Sequence, residues 1–204
     1  MRRFFFALTL SLSSLNAEAA PEGKDTNTSA PQYSLGEALI DPQKRDVLLD
    51  ELYKRLKESP SQEDAKRVDA TIDALLQQTG NAASDTFMQW GEESLKLGNT
   101  LLALDYFDGA ARLTPNAAEP YFKRATVSYA RNDLNKALAD LQRAYMLEPR
   151  HTGVLMGLGV LFSDLNRDKE ALAAYSAALD LNPHNNDAQK IVGPLRKKVE
   201  GEGI

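Results

Sequence analysis

His151 and His184 are the only imidazoles among 204 residues, and there is no cysteine. Any metal site or acid–base couple would have to be built around these two side chains. Each follows closely on a proline, in a stretch that reads as a loop, and neither has Asp, Glu or His partners at ligand spacing. Both are expected to be solvated loop residues. Glu92-Glu93 is an adjacent acidic pair on a helical stretch. Neighbours on a helix diverge by about 100°, so the two do not form a two-carboxylate site, and a solvated face is the expectation. Gly153-Val154-Leu155-Met156-Gly157-Leu158-Gly159 has the glycine density of a phosphate loop. Such loops follow a strand, whereas this run follows a helix and lies inside the next one. No Gly-x-Ser-x-Gly elbow or Lys-Ser/Thr phosphate loop occurs. Without cysteine, thiol catalysis, disulfides, Cys-ligated zinc and thiol-linked lipid are all excluded. Neither an enzyme nor a cofactor site is expected.

The elements around these residues are therefore the more informative part. Hydrophobic residues make up 43% of the chain, charged residues 26% and aromatic residues 7%, with abundant Ala and Leu. That composition suits a soluble helical protein. A net charge of −5 with a pI near 5.2 argues against nucleic acid as a partner.

The N-terminus reads as an address. Met1-Arg2-Arg3 is cationic, Phe4 to Leu15 is apolar-rich, and Ala17-Glu18-Ala19 offers small residues where a signal peptidase reads. The apolar run is about twelve residues, short of the roughly twenty that span a bilayer. We expect a secretory signal over 1–19, cleaved after Ala19, and a periplasmic mature protein with no transmembrane segment. An uncleaved anchor or a buried first helix is the alternative. Arg2-Arg3 also resembles a twin-arginine signal, but the charged region is short and no cofactor motif calls for folded export. Lacking a cysteine after the signal, the protein is not expected to be a lipoprotein.

Residues 20–32 contain no large apolar side chain and read as a disordered linker. Residues 33–80 then read as a helical hairpin. Tyr33 to Ile40 suits a short docking segment, and Pro42 suits the first turn of a helix running to about Glu58. Ser61 with Asp64 marks the start of a second helix, which Gly80-Asn81 stops. The heptad-like stripe of Val47, Leu48, Leu52 and Leu56 could dimerise or pack on the following helices. Acting as a degenerate repeat, the hairpin is expected to cover the face of the unit that follows it.

From residue 84 the chain repeats with a period of 34. Pro115, Pro149 and Pro183 mark it, as do Ala103/Ala137/Ala171, Leu104/Leu138/Leu172, Ala110/Ala144/Ala178 and Leu113/Leu147/Leu181. Phe107/Leu141/Tyr175 stays large, and Gly91/Ala125/Gly159 stays small. A fixed period with two helical stripes predicts a helix–turn–helix solenoid, all-α, with units at 84–117, 118–151 and 152–185. Small columns mark close helix contacts, and large ones fill the gaps between them. Gly98-Asn99, Asn132-Asp133 and Asn166-Arg167 fit the turn between helix A and helix B, where a left-handed residue is needed. Residues 186–204 read as a capping helix and tail, with Ile191, Val192, Leu195 and Val199 inward, kinked or split at Gly193-Pro194.

These columns resemble the tetratricopeptide repeat family, across three full units and half of the chain. The departures are Ser94, Arg124 and Ser128, at helix A positions where the family keeps larger apolar residues; Arg124 is expected to snorkel or to pair with an acid. The whole chain is also similar to exported alphaproteobacterial members, through Met88-Gln89-Trp90-Gly91, Pro149-Arg150-His151 and the tail from Val199 to Ile204. The resemblance implies a protein-binding adaptor or scaffold in the cell envelope. Family members line a concave groove with helix A. Here the fifth-position column is Met88, Phe122 and Met156, flanked by Glu92, Leu95, Thr126, Tyr129 and Val160. Such an apolar, Met-rich groove suits a peptide or amphipathic helix from one or more envelope proteins. Family members that bind acidic C-terminal tails carry Lys and Asn at the fifth and ninth positions, which this chain lacks. A groove filled by the chain's own N-terminal segment, in a structural and homodimeric module, is the competing expectation.

Overall fold

The computed structural model describes residue 32, residue 34 and residues 41–201. The expected signal, most of the linker, the docking segment around Tyr33 to Ile40 and residues 202–204 lie outside the described residues. Among the described residues there are nine α-helices and no strand. They are α1 (Pro42–Lys57), α2 (Gln62–Leu76), α3 (Ala82–Lys96), α4 (Thr100–Leu113), α5 (Ala118–Ala130), α6 (Leu134–Leu147), α7 (Thr152–Asp164), α8 (Asp168–Leu181) and α9 (Asn186–Gly201).

Several helix starts are set by short polar side chains, while Ala117, His151 and Arg167 give no side-chain cap bond. Asp41 accepts from the Gln43 amide at 3.0 Å, and Asn81 Oδ1 accepts from the Ala83 and Ser84 amides at 3.0 and 3.1 Å. Ser61 Oγ accepts from the Asp64 amide at 3.2 Å, so Ser61 and Asp64 form the expected start of α2. Asn81 was expected to stop α2; instead α2 ends at Leu76 and Asn81 caps α3. An Asx side chain one residue after a left-handed Gly80 is placed to start a helix rather than end one.

The A–B turns repeat atom for atom. Gly98, Asn132 and Asn166 each take a positive φ, at 76°, 61° and 55°. The amides of Asn99, Asp133 and Arg167 donate back to the carbonyls of Ser94, Ser128 and Phe162 at 2.8–2.9 Å. This closes helix A with the same Schellman-type bond in all three units.

Packing follows the small and large columns. A Cβ added at Gly159 would sit 2.5 Å from Cε1 of Tyr175, and one at Gly91 would collide with the ring of Phe107. The middle unit pairs Ala125 with the smaller Leu141. Volume thus moves between the two columns while the helix spacing is kept. Ala103, Ala110, Ala137, Ala144, Ala171 and Ala178 are wholly buried.

Helix α9 runs through Gly193 and Pro194 as one helix, so it is not split there. Pro194 lies on the exposed side, and Val192 is buried against Ala171 and Tyr175. The hairpin α1–α2 has its own core, in which Leu48, Leu49, Leu52, Tyr53 and Leu56 face Ala65, Val68, Ile72, Leu75 and Leu76. Of the stripe that could dimerise or pack on the following helices, Leu48, Leu52 and Leu56 are buried within the hairpin and Val47 is exposed. Against expectation, the hairpin does not cover the face of the unit after it. Arg150 pairs with Asp50 and stacks on Tyr53, Asn182 donates to Asp69, and His184 Nε2 lies 2.9 Å from the Ser59 carbonyl. Thr79, at the other end, bonds Asp85 at the start of α3. The hairpin is therefore folded back along the edge where each helix B turns into the next helix A.

Candidate interaction groove

Helices α3, α5 and α7 are the A helices, and their shared face carries the residues singled out above. At its centre is Phe122, half-buried on α5. Its ring lies 4.8 Å from that of His151, centroid to centroid. Opposite it, α7 offers Gly153 and Gly157, one turn apart. A Cβ at Gly153 would come within 3.0 Å of the Phe122 ring. Here the glycines give an aromatic side chain its seat, a use that the sequence pattern alone does not distinguish from a phosphate loop.

Cross-unit bonds hold the groove in register. Glu92 on α3 pairs with Lys123 on α5 at 2.8 Å, and Lys123 also lies 3.6 Å from Glu119. Burial works against the charge of Lys123, but bonding to Glu92 and the field of Glu119 offset it and hold the ammonium above its ordinary pKa. Further along, the Tyr129 hydroxyl donates to Asp164 on α7 at 2.5 Å, which raises the phenol pKa. The Thr126 hydroxyl bonds its own helix at the Phe122 carbonyl and is exposed. Met156 and Val160 are half-buried beside the cluster of Ala171, Tyr175 and Val192, and Leu95 is half-buried beside Phe107. Glu92 is thus a cross-unit partner rather than half of a solvated acidic pair.

Met88 departs from expectation. It is 4% exposed and packed among Ala103, Phe107, Ala110 and Val127. Its unbranched side chain turns into the gap between α4 and α5, so Met88 belongs to the core rather than to the expected stripe. His151 departs as well. It is 2% exposed, with Nε2 2.9 Å from Glu119 Oε2, and Glu119 itself is 4% exposed. His151 is sheltered because the hairpin lies along this loop, where Arg150 meets Asp50 and Tyr53. His184 is half-buried for the same reason. Arg124, at a core position, forks onto Asp140 at 2.7 and 2.8 Å and reaches Asp108. Ser94 donates to the Trp90 carbonyl at 2.7 Å, so its hydroxyl is satisfied by its own helix.

Lys123, Glu119, His151, Asp164, Gly153 and Gly157 were not among the residues expected to shape the groove. Their cross-unit partners lie 31 to 35 residues away, in units whose alignment fixes helix register but not side-chain direction. Among the described residues, no group of three or more His, Cys, Asp or Glu could hold a metal ion, and no helix is long and apolar enough to cross a membrane.

A family model described as tetratricopeptide repeat matches residues 128–193. A TPR repeat-containing protein of Rhizobium etli is 30% identical over 153 residues, which is 75% of this chain and 75% of that one. Among solved structures, the Arabidopsis OM64 TPR domain superposes with a TM-score of 0.54 at 26% identity, covering 57% of this chain and 96% of that one. The first TPR of Spaghetti (RPAP3), bound to the HSP90 peptide SRMEEVD, gives 0.55 at 19% identity, covering 58% and 94%.

Proposed function

The chain belongs to the tetratricopeptide repeat family, a protein-interaction scaffold, and from that premise we propose that it is an exported adaptor of the cell envelope. Its A-helix groove would seat a peptide or an amphipathic helix of an envelope protein. The observation that carries this reading is Phe122 on its glycine seat. A half-buried aromatic ring on the middle of three A helices, beside His151, Gly153 and Gly157, offers one apolar anchor point with polar groups around it.

The chemistry of the groove selects the ligand. Fifth and ninth positions carry Met88 and Glu92, Phe122 and Thr126, and Met156 and Val160. None of these is a cation that would clamp a C-terminal carboxylate, so the acidic peptide held by the Spaghetti domain is not the kind of ligand proposed. An apolar side chain lodged between Phe122 and Met156, with backbone groups near Thr126 and Tyr129, fits better. Export rests on the signal-like residues 1–19 and on the similarity to exported alphaproteobacterial members.

Photocrosslinking in expressing cells tests the reading. A photoreactive residue at exposed Thr126 should capture an envelope protein through a discrete segment, whereas one at exposed Lys169 on α8 should not. Equal labelling from both positions would refute groove binding.

A further inference from the structure

In the second and third units, the face of helix A opposite the groove meets the helix B before it. Leu155 and Leu158 of α7 are buried there, and Arg124 of α5 reaches back to Asp108 of α4. The residues 34 positions before Tyr121 and Arg124 are Phe87 and Trp90. Among the described residues no helix pair precedes them in the stack, because the hairpin lies along the loop edge. Trp90 is 50% exposed. Phe87, Trp90 and Tyr106 gather their rings with centroids 5.5–6.0 Å apart.

Helix α4 extends the same surface. Leu102, Tyr106, Gly109 and Leu113 fall at i, i+4, i+7 and i+11, one face of the helix. Leu102 and Leu113 are exposed, while Ala103, Phe107 and Ala110 on the neighbouring face are buried. In α6 the matching positions are Lys136, Asp140, Arg143 and Leu147. The first unit therefore carries an apolar stacking face where the second carries charge. At the other end of the array α9 covers α8, and Arg196 and Lys197 face solvent. One end is open and apolar; the other is closed and charged.

We propose that the open face of the first unit is a homodimer interface, in which α3 and α4 of two copies pack against each other about a two-fold axis with Trp90 near its centre. The internal unit-to-unit contacts show what this face receives, namely a pair of helices. A second copy supplies one, and the closed far end prevents head-to-tail addition, leaving a like-to-like contact that stops at two. The chain's own segment 33–40 is a poorer occupant. On either side of it the chain is tied to the hairpin, by the Gln32 amide on Glu51 at 2.8 Å and by Asp41 capping α1.

Trp90 is the sole tryptophan of the chain, so its emission reports on this face alone. Sedimentation velocity of the full chain over a wide concentration range should show the 22.5 kDa species doubling in mass, with Trp90 emission moving to shorter wavelength over the same range. Tyr106→Lys keeps the reporter and should weaken dimerisation by more than about 10-fold with helical circular dichroism unchanged. Trp90→Glu should do the same, and either variant suffices if the other fails to fold. Three results would overturn the proposal. They are monomers at every concentration with solvent-exposed emission, monomers with short-wavelength emission throughout (the chain's own segment then covers the face), and a dimer that both variants leave intact.

Discussion

Glu119 and His151 pair side chain to side chain at 2.9 Å, and both are almost wholly removed from solvent. They join the start of α5 to the start of α7, beneath the hairpin. Removing Glu119 takes from the buried His151 ring the partner of its Nε2, so Glu119→Ala should lower stability by about 1–3 kcal/mol. A double-mutant cycle with His151→Ala in chemical denaturation should give a coupling well above 0.5 kcal/mol. Additive losses would mean that the two are not energetically joined.

Gly159 and Tyr175 test the volume exchange between columns. Gly159→Ala has no room beside the ring and should cost about 1–3 kcal/mol. Adding Tyr175→Leu recreates the Ala125–Leu141 pairing of the middle unit and should recover most of that loss. The same reasoning gives Ala144→Leu a cost of about 1–3 kcal/mol, since Ala144 is wholly buried.

Asp69 lies between the hairpin and the third unit, where burial and the neighbouring Asp73 carboxylate raise its pKa. A raised carboxyl pKa means the folded state holds the proton more tightly than the unfolded state. The resulting penalty is present at neutral pH and fades as pH falls through the raised value, ending below the ordinary value of about 3.9. Asp69→Asn can still accept the Asn182 bond. It should be more stable than the parent at pH 7, with the gap closing in acid. Thermal melts at pH 7 and pH 3 check the sign.

Export is tested at the N-terminus. The protein recovered from the periplasmic fraction should begin at Ala20 or within a few residues of it. Recovery of intact Met1 in the cytosol would contradict export.

How much of this was legible in the sequence depended on what the period encodes. Backbone features repeat with it, so the left-handed turn at Gly98, Asn132 and Asn166 and the close helix contact at Gly91 could be read from single columns. The hairpin lies outside the period, and its placement was missed. Its α1–α2 core is complete in itself, and what fixes it to the array is a set of polar contacts far apart in the chain, such as Asp50–Arg150 and Ser59–His184. No periodicity reports such contacts. The burial of His151 followed from that placement and was missed with it. Met88 was misread for another reason: a column fixes where Cα sits, and a flexible side chain can still turn from groove to core.

The groove's claim to bind a partner is tested most directly at Phe122. Titration of the crosslinked partner's captured segment, as a synthetic peptide, against the parent chain and Phe122→Ala gives two affinities. Circular dichroism and melting give their folds. A central aromatic anchor predicts a loss of roughly 2 kcal/mol or more in binding, with helix content nearly unchanged. Unchanged affinity, or a loss matched by collapse of the fold, would contradict the account and leave Phe122 as part of the core.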